Sequence, residues 1–393
     1  MTDHTLRGKA AVVGVGETRY YKRGAAPDSE FKMALEAIML ACADAGVDVE
    51  EIDGLVSYAD DRNDPPRIAA ALGLPELRYS TMVWGGGGGG GSGAVANAAA
   101  AVATGLADTV VVFRGLAQGQ YHRYGQGART PVAPGAEAFT APYGLMSPAQ
   151  MFAMRVRRFM WEHGIGQEAL RAIALTSYAH AQRNPRAVMY GRPLTEEVYE
   201  KSRWIVEPFH LYDCCMENDG AAALVVVSTE RAQGLRQKPA YVLAAVQGSG
   251  YRQAATVHNA PDYPTSNFKT SAPRLYAVAG LGPKDVDVLQ CYENFTGGVL
   301  MSIVEHGFCP PEEVNDFFTP ANFSFVGGRL PLNTSGGNLA ECYMHGLELI
   351  IEAVRQIRGT SPCQVPNARV SMVVSGPMVQ PVSSSIYSSE PNP

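Results

Sequence analysis

Residues 10–15, 109–113 and 221–227 are almost uninterruptedly apolar, and segments with helical spacing lie between them. A strand with one wet face alternates polar and apolar side chains. A strand that stays apolar has both faces covered. The chain must therefore build a sheet with helices on both sides, an α/β architecture, and the pattern predicts a parallel sheet. Asp28 and Ser29 can cap a helix that carries Phe31, Leu35, Ile38 and Cys42 on one face and closes at Gly46. Residues 55–58 read as a short strand, and 92–104 as an Ala-rich helix stopped by Gly105.

From about 115 to 203 the character changes. Gly, Pro and aromatic residues are dense up to Tyr143, and Ser147-Pro148 opens a helix that ends near His163-Gly164. This stretch reads as a helical insertion over the sheet. The second half repeats the alternation, with strands at 241–246, 286–290 and 369–374 and helices at 273–278, 299–305 and 341–357. The expected organisation is a first half of 1–114 plus 204–238, an insertion of 115–203 and a second half of 239–393. The Ser/Pro-rich tail from 383 is expected to be loosely held.

Of 393 residues, 46% are hydrophobic, which is ample for a large core. Lys+Arg 32 against Asp+Glu 38 gives 32 − 38 = −6, and only 18% of residues are charged. A mildly acidic chain with so few charges is a poor match for a phosphate backbone, so nucleic-acid binding is not expected. The low charge fraction instead predicts surface covered by other subunits. The most apolar stretch, 94–113, is broken by Asn97, Thr104 and Asp108, so no membrane span is expected. The Met-Thr-Asp-His start lacks the basic and apolar parts of a signal peptide. Seven irregularly spaced cysteines suggest no zinc site and fit reduced thiols in a cytoplasmic protein.

Four motifs follow one another along the chain. They are Val13-Gly14-Val15-Gly16-Glu17-Thr18, Asn184-Pro185-Arg186-Ala187, Asp219-Gly220-Ala221-Ala222-Ala223 and Asn333-Thr334-Ser335-Gly336-Gly337. In this order they resemble the thiolase superfamily, on the branch of the sterol-carrier-protein thiolases. The resemblance covers nearly the whole chain. It implies two similar βα halves forming a five-layered αβαβα core, with the helical loop insertion in the first half.

The thiolase nucleophile does not carry over. The stretch matching the family's cysteine motif is Gly90-Gly91-Ser92-Gly93, with Gly90 in the cysteine's place. Counting from Gly336-Gly337, the family's Gly-His pair becomes Cys342-Tyr343, and its second cysteine becomes Ser375, before Gly376. The motif after the preceding strand becomes Tyr292-Glu293-Asn294-Phe295. An acyl-enzyme needs a nucleophile with a base beside it, and neither is present. Two tyrosines stand where catalytic groups stood. That combination resembles the cysteine-lacking steroid side-chain-cleaving aldolases of bacterial sterol catabolism, the lipid-transfer-protein-type retro-aldolases. The resemblance implies retro-aldol cleavage of a steroid β-hydroxyacyl-CoA. The best-fitting reaction converts 17-hydroxy-3-oxopregn-4-ene-20-carboxyl-CoA to androstenedione and propionyl-CoA. The alternatives are an aldolase that releases acetyl-CoA and an aldehyde, or a non-catalytic acyl-CoA-binding subunit. It also implies a homodimer through the first-half sheet near Thr81-Met82, joined by two partner chains with an OB fold and a zinc ribbon. Coenzyme A enters as part of the substrate, and neither cofactor nor metal is expected on this chain.

Such a cleavage needs a base for the hydroxyl proton, a site for the enolate oxygen and an acid for the enolate carbon. Tyr292 and Tyr343 can supply base and acid. A phenol ionises near pH 10, and bringing it to 7 takes about 4 kcal/mol of preferential phenolate stabilisation. His345 is the nearest potential donor, but on a continuous helix a residue two positions from Tyr343 points elsewhere. The seven glycines from Gly85 to Gly91 read as a loop with side chains removed to admit a bulky substrate. The N–H groups of Gly90, Gly91 and Gly376 are oxyanion candidates. Arg123, in Tyr121-His122-Arg123-Tyr124, is a candidate contact for coenzyme A phosphates, and Glu293 reads as a structural hydrogen-bond partner. His122, His163, His180, His210, His258 and His306 have no ligand spacing, and Cys214-Cys215 reads as core packing.

Overall fold

The computed structural model describes residues 6–85, 87–121, 133, 135–253 and 257–393. The first half contributes strands β1 (Ala10–Glu17), β2 (Gly54–Tyr58), β3 (Tyr79–Val83), β4 (Thr109–Ala117) and β5 (Asn218–Ser228). The second contributes β6 (Ala240–Gly248), β7 (Val288–Cys291), β8 (Val370–Ser375) and β9 (Val382–Ser388). Their order across the sheet is β7-β8-β9-β6-β1-β5-β4-β2-β3. Outward from the centre this reads β1-β5-β4-β2 on one side and β6-β9-β8-β7 on the other. The same topology is built twice, and β3 extends the edge of the first half.

The sheet is mixed rather than parallel. β2 pairs parallel with β4 and β3, and β7 parallel with β8. β1, β4, β5, β6, β8 and β9 meet their other neighbours antiparallel. An unbroken apolar run reports two covered faces, not strand direction. β5 lies between antiparallel neighbours and is buried over Asn218–Val227.

Alternation along each strand sorts the core into layers. Ala11, Val13, Leu55, Val111, Phe113, Ala223 and Val225 pack with helix α1 (Glu30–Ala45). Their neighbours Val12, Val56, Val110, Val112, Leu224 and Val226 face a central layer of α2 (Gly91–Thr104) and a second-half helix, Leu347–Arg358. From the other half Val242, Val373 and Tyr387 enter the same central layer. Leu243, Met372, Val374 and Ile386 point away, to Ser271–Ala279 and Thr296–Glu305. The result is the αβαβα stack. Two helices of the insertion, α3 (Pro148–His163) and α4 (Glu168–Ala181), pack against this outer layer. Ser147 caps α3 through a capping box with Gln150. We number the later helices α5 (Ser271–Ala279), α6 (Thr296–Glu305) and α7 (Leu347–Arg358).

Three further expectations change. β4 runs to Ala117, three residues past the expected boundary at 114. The tail is not loose, because 382–388 forms β9, buried at every position and inserted between β6 and β8. Its serines are satisfied internally: Ser385 bonds Ser92 and Tyr387, and Ser384 bonds His306. The expected helix 341–357 is broken: Gly337–Ala340 forms one turn, and α7 starts only at Leu347. Between them His345 has φ +54° and Gly346 φ +87°, left-handed conformations that no α-helix accommodates.

Candidate active site

The broken helix makes the site. Tyr292 follows the end of β7, and Tyr343 lies in the 341–346 turn before α7. Their hydroxyl oxygens are 2.6 Å apart, with ring centroids at 5.9 Å and 55° between planes. Both rings are buried and line an open cavity of about 820 Å³. The turn is pinned on every side. The Tyr343 amide donates to Asn218 Oδ1 at 2.6 Å, and the Met344 amide to Glu348 Oε1 at 3.2 Å. The Tyr58 hydroxyl donates to the carbonyls of Met344 and His345 at 3.3 and 3.1 Å.

Because 341–346 is not helical, His345 does reach Tyr343: the two rings meet edge to face with centroids at 5.2 Å and 78°. His345 also lines the cavity. Its Nδ1 lies 3.0 Å from Arg114 Nη2, and Arg114 is paired with Asp61 at 2.9 Å. Burial first, then the Arg114 and Arg62 charges, push the imidazole well below its ordinary range, so it is neutral at pH 7.

The glycine run divides into two parts. Gly85, Gly87 and Gly88 line the cavity, whereas Gly90, Gly91 and Gly376 lie behind its wall. A Cβ on Gly90 would meet Tyr58 Cβ at 2.6 Å, and one on Gly376 would meet the Gly89 nitrogen at 2.1 Å. The α2 N-terminus is also occupied: the Ser92 amide donates to Ser375 Oγ at 3.3 Å and the Gly93 amide to Ser383 Oγ at 3.0 Å. The serine at the place of the second thiolase cysteine thus clamps α2 to β8. The close neighbour of the reacting groups is Gly88, where a Cβ would fall 2.1 Å from Tyr292 Cε2.

Around this polar floor the cavity wall is apolar, with Pro148, Phe152, Ile205, Leu211 and Phe295. Arg23 and Glu217, paired at 3.3 Å, stand on its polar side. Glu293 points away into the core, accepting from Ser177 Oγ and the Leu339 amide, and burial raises it to about 7. Cys215 is pushed up to about 12 by burial and the neighbouring Glu217, which makes it a poor nucleophile at neutral pH. Arg123 lies outside the described residues. Among the described residues no cluster of His, Cys, Asp and Glu could hold a metal ion, and no helix is long and apolar enough to cross a membrane. Arg114, Asp61 and Tyr58 were missed at the sequence level. The signal was a lone arginine directly after the apolar run 109–113, since a charge inside a buried strand is the informative exception.

A doubled βα topology in five layers, with a tyrosine-bearing turn before α7 and no cysteine at the start of α2, defines a thiolase-fold enzyme that does not work as a thiolase. Residues 248–389 match the thiolase C-terminal domain-like family. Over 384 residues the chain is 42% identical to the steroid side-chain-cleaving aldolase of Thermomonospora curvata, covering 94% of this chain and 96% of that one. It is 39% identical over 380 residues to the 17-hydroxy-3-oxo-4-pregnene-20-carboxyl-CoA lyase of Mycobacterium tuberculosis, covering 94% and 97%. It superposes on the solved Ltp2-ChsH2(DUF35) aldolase with a TM-score of 0.91 at 41% identity, over 98% of each chain. The chain belongs to the steroid side-chain-cleaving aldolases of the thiolase superfamily. It is a carbon–carbon lyase.

Proposed function

We propose that this enzyme cleaves 17-hydroxy-3-oxopregn-4-ene-20-carboxyl-CoA into androstenedione and propionyl-CoA, with Tyr292 and Tyr343 as the acid–base pair. The observation that carries the reading is the 2.6 Å hydrogen bond between the two phenols at the base of an 820 Å³ cavity. That volume lies in the range of about 300–1,000 Å³ typical of small-molecule sites. The steroid rings fit the apolar wall of Phe152, Ile205 and Phe295, and the thioester fits the glycine side.

One tyrosine takes the substrate's hydroxyl proton. The electron pair of that O–H bond forms the ketone C=O, and the carbon–carbon bond beside it breaks. Its electrons move to the α-carbon as a thioester enolate, and the other tyrosine protonates that carbon. The proton gained by the first then passes to the second across their hydrogen bond, which restores the pair. No covalent intermediate forms. A hydrogen bond donated to a phenolate favours the charged form, so each tyrosine eases the ionisation of the other. His345, neutral and beside Tyr343, is the proposed donor to the substrate oxygens. Backbone N–H groups of Gly87 and Gly88, which line the cavity, complete the oxyanion environment, with Arg123 as the coenzyme A phosphate contact.

The proposed assembly is a homodimer carrying two partner chains of the DUF35 type, each with an OB fold and a zinc ribbon, in the cytoplasm. Any zinc then sits in the partner, and coenzyme A arrives as part of the substrate. The partner orders the active-site loops and lowers the conformational cost of binding. The test is turnover of the synthetic hydroxyacyl-CoA by this chain with and without its partner, following both products by mass. Stoichiometric androstenedione and propionyl-CoA are expected from the complex. Release of acetyl-CoA and an aldehyde, or binding without cleavage, would overturn the reading.

A further inference from the structure

The buried Arg114 is costly. It is 2% exposed in a strand whose other residues are all buried and mostly apolar, and a charge taken from water costs several kcal/mol unless it is paired. Here both of its terminal nitrogens are engaged. Nη1 donates to Asp61 Oδ2 at 2.9 Å and to the Tyr58 carbonyl at 3.0 Å. Nη2 donates to the Ala59 carbonyl at 3.1 Å and meets His345 Nδ1 at 3.0 Å. Asp61 is held in turn by the amide and side chain of Asn63, both at 2.8 Å, and by the Gly115 amide at 3.3 Å. The backbone at both ends of the Arg114–His345 contact is left-handed without glycine: Ala59 at φ +57°, Asp60 at +52° and His345 at +54°. Such conformations persist only where the surroundings over-determine them, and they cluster at functional sites.

The chemistry of the contact fixes a tautomer. A guanidinium has five donors, no acceptor and never deprotonates in a protein. Nδ1 of His345 must therefore carry the lone pair. An imidazolium would bring a second donor against the first, so the ring is neutral and its proton sits on Nε2. On the proposed reading of the site, we infer that Arg114, fixed by Asp61, is a positioning residue that locks His345 as the neutral Nε2–H tautomer. The imidazole beside Tyr343 can then act only as a donor, and the role of base is left to the tyrosines.

Several other ionisable groups surround His345. Arg62, from the segment after β2, adds positive charge and is itself paired with Glu30. Tyr58 from β2 is raised far above its ordinary range by burial and is uncharged at pH 7, and burial pushes the Glu348 carboxyl from α7 upward as well. Tyr343 adjoins the ring, Tyr292 is bonded to Tyr343, and Asp60 lies on the cavity wall. Asp61, the nearby carboxylate, is spent on Arg114.

The test is a long-range proton–nitrogen NMR spectrum of the full chain labelled at histidine nitrogen, with His345 assigned by its loss in His345→Gln. The expected signature is an unprotonated Nδ1, a protonated Nε2 and no titration from about pH 5.5 to 8. A protonated Nδ1, or an imidazolium at pH 7, would overturn the inference without any variant. Arg114→Met alone strands a buried carboxylate, so the variant is Arg114→Met with Asp61→Asn. It should release Nδ1 so that both neutral tautomers of His345 appear in the spectrum, and lower kcat by up to about 100-fold with little change in KM. Wild-type tautomer and kcat in a folded double variant would equally sink it. If the wild-type complex fails to cleave the hydroxyacyl-CoA while the tautomer is as stated, the proposed function falls and the lock stands.

Discussion

The two central helices occupy equivalent places in the two halves, yet they are entered in opposite ways. α2 begins at the last of seven consecutive glycines, and α7 follows Glu341-Cys342-Tyr343-Met344-His345-Gly346. The two entrances meet in the site: Gly88 lies against the Tyr292 ring, and a Cβ on Gly346 would come within 2.9 Å of the same ring. One entrance carries no side chains, and the other supplies Tyr343, whose hydroxyl is bonded to that of Tyr292 after β7.

The comparison breaks most directly at the tyrosines. Tyr292→Phe and Tyr343→Phe should each lower kcat by about 10²–10⁴-fold, the usual worth of a general acid or base, with the fold unchanged by circular dichroism. A near-wild-type rate in either variant would leave the two-phenol mechanism without support.

On the glycine side, position should matter more than composition. Gly88→Ala places a methyl on the Tyr292 ring and should cost about 100-fold in kcat through misplacement of the phenol. Gly87→Ala meets nothing within 4 Å and adds only left-handed strain at φ +47°, about 1–2 kcal/mol of stability, with turnover within a few-fold. Equal losses at both positions would mean that the loop works through flexibility and not through the fit to Tyr292.

Restoring the lost cysteine should restore nothing. In Gly90→Cys the new Cβ meets Tyr58 instead of projecting into the cavity. Melting temperature should therefore fall, by about 1–3 kcal/mol of overpacking, and intact mass should detect no acyl-enzyme. An acylated protein would reveal a base that this site does not contain.

The smallest effect concerns Glu293, which adjoins Tyr292 in sequence but faces the core. Its carboxyl is raised from 4.5 to about 7, so its stabilising contribution is complete below about pH 4.5 and is lost as pH rises through 7. Urea unfolding of wild type and Glu293→Gln should show the wild type losing stability relative to the variant from pH 5 to 8. Kcat of the variant should stay within a few-fold. A constant difference across that range would remove the protonated-carboxyl account.

Much of this site was legible before the fold. Tyr292 and Tyr343 are 51 positions apart, and motif order alone pairs them. The His345–Tyr343 contact was not legible, because a continuous helix over 341–357 sets them on different faces. The punctuation was there in Gly346, one isolated glycine in an otherwise periodic segment. β9 was missed because serines signal a loop when their partners are unseen. Ser92, Gly89 and His306, which satisfy them, lie far away in sequence.

By itself the sequence determined the layered α/β class, the doubled order of elements and the absence of a thiolase nucleophile. Periodicity, apolar runs and motif spacing are local properties, and each is carried by residues close together along the chain. Tertiary structure alone decided strand direction, the glycine that touches the reacting phenol, and the Asp61–Arg114–His345 chain that sets a proton's place. Arg114 and His345 are separated by 231 positions and meet at 3.0 Å. Which nitrogen holds a proton depends on the donor facing it, and folding brings that donor from the opposite half.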